Sequence, residues 1–229
     1  MRKAVITGDI IHSTQINAEQ RNILFERIAN ALKQWDNDFN MRSETFRGDS
    51  FQCVIDRPKL ALRIVLIQKT FIRSLNPSEL FKVKTQGKSN SQKKKISPPR
   101  IFDARIVIGI GEVEYLSNRL ASSGGEAFQL SGELLDSMKN KKQSIGIATN
   151  DKYNDELTTE FKLLDALISK TSAFQCQVIF QKLLGFKEQK IAEKLNIHQS
   201  AVNQRSMTGN WNAIETMLNR FEKIYSDEE

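Results

Sequence analysis

The sequence predicts an α+β sandwich, with helices on one face of a mainly antiparallel sheet, followed by a small all-α domain. Three observations predict it. Short apolar runs, among them Ala4-Val5-Ile6-Thr7 and Ile106-Val107-Ile108, lead into glycine and read as strands. Between such runs apolar residues recur at helical spacing, giving the order strand, helix, hairpin, helix, strand, helix, strand. From Ser172 onward the strand pattern stops and only helical spacing is left. The expected division is residues 1–168 and 169–229.

Residues 4–7 form the first strand, with Gly8-Asp9 turning behind it. Asn17 caps a helix, with Gln20 three residues on as in a capping box. Leu24, Ile28, Ala31, Leu32 and Trp35 are its inward face, and Asp36-Asn37-Asp38 ends it. Residues 44–55 read as two strands around a tight Gly48-Asp49 turn, with Phe51, Cys53 and Ile55 alternating on the second. Pro58 starts a helix whose stripe is Leu62, Val65, Leu66 and Ile72. Residues 82–100 carry Lys84, Lys88, Lys93, Lys94, Lys95 and Arg100 with no acid, and Pro98-Pro99 closes them: a loop inside the domain. A strand over 104–111, a helix over 127–138, a strand over 144–149 and a helix over 151–170 complete the first part.

In the second part Phe174, Val178, Ile179 and Leu183 form one apolar face of a helix that Gly185 stops. A short helix over 188–195 turns inward with Ile191, Ala192 and Leu195. Asn196-Ile197-His198 makes a corner, for which Asn tolerates the left-handed conformation. A third helix starts at Gln199, with Ala201 and Val202 facing in. Residues 189–205 resemble the helix-turn-helix of sigma-factor region four. Small Ala192 lets the helices cross closely, Ile197 plugs the corner and Val202 anchors the last helix. The exposed face offers Gln199, Ser200, Asn203, Gln204 and Arg205, whose amides and guanidinium suit base edges in the major groove of double-stranded DNA. The same motif also serves packing or dimerisation. Acids and bases nearly balance after Lys170, so phosphate contacts are expected from the loop near Lys93 or from a dimer partner. Trp211, Ile214, Met217, Leu218 and Phe221 give one more amphipathic helix, for core or dimer contact.

Composition narrows the setting. The 229 residues are 39% hydrophobic, enough for a real core, and the formal charge of +7 favours a polyanionic partner. Cys53 and Cys176 both sit in apolar runs, which suits buried free thiols in a reducing compartment. Asp9 interrupts any signal-like segment, and no apolar run reaches the ~18 residues of a membrane span, so a soluble, cytoplasmic protein is expected. Neither His12 nor His198 has neighbours at zinc spacing.

Asp9 and Asp49 each follow a glycine, and their strands place them at neighbouring ends if they pair. Two converging carboxylates suit Mg²⁺ or Mn²⁺, and N–H groups from Ile10 to Ser13 are placed for phosphate. The plain alternative is two solvated turn acids. The surrounding wording goes further. Residues 7–14 (Thr-Gly-Asp-Ile-Ile-His-Ser-Thr) and the string Arg47-Gly48-Asp49-Ser50-Phe51 resemble the first strand and metal-bearing hairpin of class III nucleotidyl cyclases. Residues 105–113 and 125–134 are similar to the core strand and helix that follow in those enzymes. The resemblance implies a ferredoxin-like, palm-type fold. It implies a metal set of Asp9, Asp49 and Ile10, and nucleotide or phosphate contacts from Ile11, His12, Ser13, Thr14 and Arg47. It departs where cyclases carry a catalytic Asn and Arg, here Gln129 and Glu133, and where they carry a purine-selecting Lys, near Thr45. The full arrangement, through residues 199–205 and Asn210-Trp211-Asn212-Ala213-Ile214, resembles the SatD family of bacterial proteins. Three readings result: a DNA-binding transcriptional regulator that senses a nucleoside triphosphate with a metal, an active nucleotidyl cyclase or transferase with a helical tail, or an interaction protein with both sites idle. A homodimer is expected.

Overall fold

The computed structural model describes residues 2–46, 49–80 and 101–226. The lysine-rich stretch 82–100, and Arg47 and Gly48 of the hairpin, lie outside the described residues. Strand β1 (Arg2–Ile10) lies at the centre of a five-stranded sheet of order β2-β3-β1-β4-β5. β2 (Met41–Phe46) and β3 (Ser50–Ile55) form the hairpin, and β3 and β4 (Ala104–Glu112) flank β1 antiparallel. β5 (Ile145–Thr149) adds to β4 in parallel, so the sheet is mainly antiparallel, as expected. With α1 (Ala18–Phe39) and α2 (Ala61–Ser74) in their places, β1 to β4 follow the β-α-β-β-α-β order of ferredoxin-like folds. A short α3 (Pro77–Leu80) follows α2.

The helices do not stay on one face. α4 (Glu126–Met138) covers the opposite face from α1, α2 and α5 (Asn154–Ile168). β1 shows why. Ala4, Ile6 and Ile10 pack into the main core, while Val5 joins Val54 and Ala127 on the α4 side. Side chains alternate along a strand, so an unbroken apolar run such as residues 4–6 or 106–108 needs cover on both sides. The α4 backbone presses so closely on β4 that a Cβ at Gly109 would stand 2.3 Å from the Ala127 carbonyl oxygen. No side chain fits there.

Element ends follow local chemistry. The Asn17 side chain accepts the Gln20 N–H at 2.9 Å, as expected of a cap. α1 runs through Asp36-Asn37-Asp38 to Phe39, and left-handed Asn40 ends it. α2 is buried nearly all round, which its apolar stripe alone does not predict. Lys69 is wholly buried: its Nζ reaches Asp103 Oδ1 at 2.6 Å, the Ala104 carbonyl at 2.6 Å and Ser144 Oγ at 2.7 Å. Arg73 pairs with the other Asp103 oxygen at 2.5 Å and donates to the carbonyls of Ser169 and Thr171. Cys53 is buried against the Gln68 amide, and burial pushes its thiol up to about 12; burial also raises Cys176. Both thiols are therefore structural and unreactive.

The C-terminal helices are α6 (Ala173–Leu183), α7 (Glu188–Leu195), α8 (Gln199–Thr208) and α9 (Trp211–Ile224). Ser172 and Gln175 form a full capping box at the start of α6. Phe174 does not belong to the buried face of α6; it is 58% exposed, and Cys176 is buried with Val178 and Ile179 instead. Ile179, Leu183, Ile214, Leu218 and Phe221 join the main core, continuous with α2 and the sheet. Arg63 of α2 fastens α9 through Glu222 at 2.7 Å. The stretch 169–226 thus packs on the first part through apolar contact and not as a bead on a tether.

Candidate functional site

β1 brings the two predicted acids to one end of the sheet. Asp9 stands across from Ser50 on β3 and Arg105 on β4, and the Ile10 N–H donates to the Asp49 carbonyl at 2.9 Å. Asp9 shares a face with Thr7, which hydrogen-bonds Ser131 of α4, so its side chain lies on the α4 side. Burial raises the Asp9 pKa above the usual carboxylate value; Arg105 and Lys139 oppose this and the charge of Asp49 adds to it. The two carboxylates are close enough to repel each other.

Each acid already has a donor. Arg105 Nη1 donates to both Asp9 oxygens, at 2.9 and 3.2 Å. Ser13, buried at the start of a short 3-10 turn, donates to Asp49 Oδ2 at 3.0 Å. Among the described residues no group of three His, Cys, Asp or Glu side chains is set to hold a metal ion. In this arrangement the donors do not fit Mg²⁺ or Mn²⁺, because a guanidinium holds the place where a cation would neutralise Asp9. A metal reaches Asp9 only by displacing Arg105.

The expected phosphate loop is half spent. Ile10 and Ile11 give their N–H groups to the carbonyls of Asp49 and Asp103, both at 2.9 Å. That removes these two residues as phosphate donors and leaves the role to His12, Ser13 and Thr14. His12 is left-handed (φ 60°), and its ring meets the Gln15 amide at 3.1 Å. Arg47 lies outside the described residues. Beside Asp49 a cleft of about 190 Å³ opens between α1 and the hairpin, walled by Ile10, Phe25, Ala29, Thr45 and Phe51. It is smaller than the ~300–1,000 Å³ of ordinary ligand pockets. On α4 Gln129 donates to Glu133 at 2.8 Å, so the two residues that differ from the cyclase pattern hold each other.

Sequence reading missed Arg105 and Asp103, since no local pattern tells which cation a strand partner will bring. Arg105→Gln is expected to raise Mn²⁺ affinity roughly 10-fold or more, because an opposing charge at contact range shifts a carboxylate by about 1–3 units. Titration calorimetry reads it. In the native protein affinity should fall on acidification from above the usual carboxylate range, since protons compete for Asp9 and burial raises its pKa. The variant should lose metal at still higher pH. Unchanged affinity on losing Arg105 would remove Asp9 from any metal site.

The other predicted set lies on α8. α7 has the expected bounds and α8 the expected start, joined by a turn whose first residue, Asn196, is left-handed (φ 51°). Val202 and Ser206 are buried, and Val178, Ile191, Ala192 and Val202 form their own small core. Gln199, Ser200, Asn203 and Gln204 are exposed, and their side chains make no hydrogen bond among the described residues. Arg205 is not with them. It is half-buried on another side of the helix, roughly 160° from Asn203 at 3.6 residues per turn, with its guanidinium 4.9 Å from the Phe174 ring centroid. Lys190 and Lys194 of α7 are exposed nearby in sequence, the first paired with Glu193 and the second over the Phe186 ring.

No protein-family profile and no curated protein matches the chain. Solved structures do. One of a bacterial light-regulated adenylyl cyclase is 14% identical over 64% of this chain and 43% of its own, with a TM-score of 0.45. Another so described is 12% identical over 64% and 74%, with a TM-score of 0.42. The guanylyl cyclase Cya2 is 17% identical over 65% and 75%, with a TM-score of 0.40. The likeness is one of outline alone and assigns no residue a role.

Proposed function

We propose that this chain is a DNA-binding transcriptional regulator of the SatD type that reads duplex DNA with α8, its α+β part serving as the sensing body. One observation carries the reading. α8 is anchored on one side by Val202 and Ser206 and presents on the other a row of amides and a hydroxyl with no partner of their own. Asn and Gln amides pair with adenine N6 and N7 in the major groove, and a fixed helix holds them at little entropic cost. Arg205, stacked on Phe174, is better placed for a flanking phosphate than for a base edge.

The sensing part rests on the Asp9–Asp49 pair. Asp9 and Asp49 would be the residues to hold a metal-bound nucleotide, and only with Arg105 displaced from Asp9. Active cyclisation is disfavoured, because Glu133 sets an acid where phosphate chemistry needs a cation. Incubating the protein with the four nucleoside triphosphates and Mn²⁺ separates turnover from binding: products would support the enzyme reading, and thermal stabilisation without products supports sensing.

The DNA reading is tested by selecting bound sequences from a random duplex pool and measuring the winner by fluorescence anisotropy. A specific site should bind at ~10⁻⁸ M or tighter. Asn203→Ala should cost about 1–3 kcal/mol on that site and little on random duplex, whereas Arg205→Ala should weaken both alike and flatten the salt dependence. A pool with no enrichment, bound only through salt-sensitive non-specific contacts, sinks the reading.

A further inference from the structure

We propose that Met207 of α8 is a specificity-determining residue that reads a thymine of the duplex through its 5-methyl group. The inference rests on the DNA reading and adds a base that the amides of α8 leave unread. Among the described residues four large apolar side chains stand exposed, Tyr115, Leu163, Phe174 and Met207, and Met207 is the most exposed, at 72%.

Helix phase places it. At 3.6 residues per turn Met207 lies roughly 140° from buried Val202 and within about 60° of Ser200, Asn203 and Gln204. It therefore stands inside the row of polar side chains and not at its margin. The rest of the domain lies on other sides of α8. Val202 packs with Val178 of α6 and with Ile191 and Ala192 of α7. Arg205 stacks on Phe174 of α6, and the Thr208 hydroxyl accepts the Gln175 amide of α6 at 3.0 Å. Both turn away from the Met207 side, which stays open.

Chemistry names the base. The major groove presents hydrogen-bonding edges and a single apolar group, the thymine methyl. A thioether offers those edges nothing useful, but it is apolar, unbranched and adaptable, and so suits that methyl. Met207 follows Asn203 by four residues, about 6 Å along the helix axis, or roughly two base-pair steps of 3.4 Å. The thymine should then lie about two or three pairs from the adenine that Asn203 reads.

The test takes the duplex enriched from the random pool and replaces each thymine in turn with deoxyuridine, which lacks only the 5-methyl group. By fluorescence anisotropy of the full chain, the change should weaken binding about 3–5-fold at one thymine near that adenine, the worth of one buried methyl group. Met207→Ala, at an exposed position and with an unchanged circular dichroism spectrum, should bind the thymine duplex about 3-fold or more weakly and respond to deoxyuridine there by less than ~1.5-fold. Met207→Leu, still apolar, should keep the native preference to within ~2-fold. An enriched site indifferent to every thymine methyl, or a methyl preference that Met207→Ala retains in full or Met207→Leu loses as fully as Met207→Ala, would overturn this inference and leave the DNA reading standing. A pool without enrichment would overturn both.

Discussion

Replacing Asp103 with alanine is expected to lower the unfolding free energy by about 3–5 kcal/mol, the cost of leaving a buried charge without its partner. Two cations depend on this carboxylate. Lys69 is wholly buried and Arg73 nearly so, and each holds one Asp103 oxygen, at 2.6 and 2.5 Å. Without it their direct partners would all be neutral, the Ala104 carbonyl and Ser144 hydroxyl for Lys69 and the Ser169 and Thr171 carbonyls for Arg73, leaving Asp165 behind Ser144 as the acid that still acts on Lys69. Burial already lowers the Lys69 pKa, and Asp103 is the chief group opposing that shift. Urea unfolding measures the effect, with the midpoint falling by more than about 1 M at a slope of ~1–3 kcal/mol/M. Adding Lys69→Met to the variant should recover part of the loss, because an apolar side chain of similar length tolerates the site. A loss below about 1 kcal/mol would mean that water relaxes the cluster.

Phe221→Ala is expected to cost a similar ~3–5 kcal/mol, as large aromatic truncations in a core do. Phe221 is fully buried, 6.2 Å from the ring centroid of Phe161 and 5.0 Å from that of Tyr225. Because its cluster is continuous with the sheet, the loss should appear at both ends of the chain. Trp35 on α1 and Trp211 on α9 report them separately, each in a variant carrying Phe at the other tryptophan. Trp35 also lies against Phe71 and Phe180, which join α1, α2 and α6. Both reporters should move together to the same lower midpoint. If Trp211 is released first while Trp35 holds its native signal, the two parts unfold independently and the shared core is not cooperative.

The elements were legible in the sequence where local signals suffice. Asn17 and Ser172 announce their helices, Gly48-Asp49 its hairpin, and the residue pattern gives the bounds of α7 and the start of α8. What was not legible depends on partners far along the chain. Lys69 and Arg73 lie outside the apolar stripe of α2, yet Asp103, 34 and 30 positions away, draws them inside. The neighbourhood of Asp9 and Asp49 followed from strand pairing, but the register that sets Arg105 across from Asp9 did not. Cover on both faces of the sheet had a signal in the unbroken runs of β1 and β4, which the strand-by-strand reading passed over. Helical spacing with Val178 and Leu183 points Phe174 inward, but the face of α6 that buries Cys176, Val178 and Ile179 carries it out to Arg205.

The grip of Arg73 on the carbonyls of Ser169 and Thr171 makes the joint before α6 stiff. A stiff joint cannot swivel to suit its target. If α8 reads duplex DNA as proposed, two such bodies sharing one duplex would have to meet half-sites at a set separation, since each added base pair turns one site roughly 34–36° from the other. Operator spacing would then be selected as sharply as operator sequence.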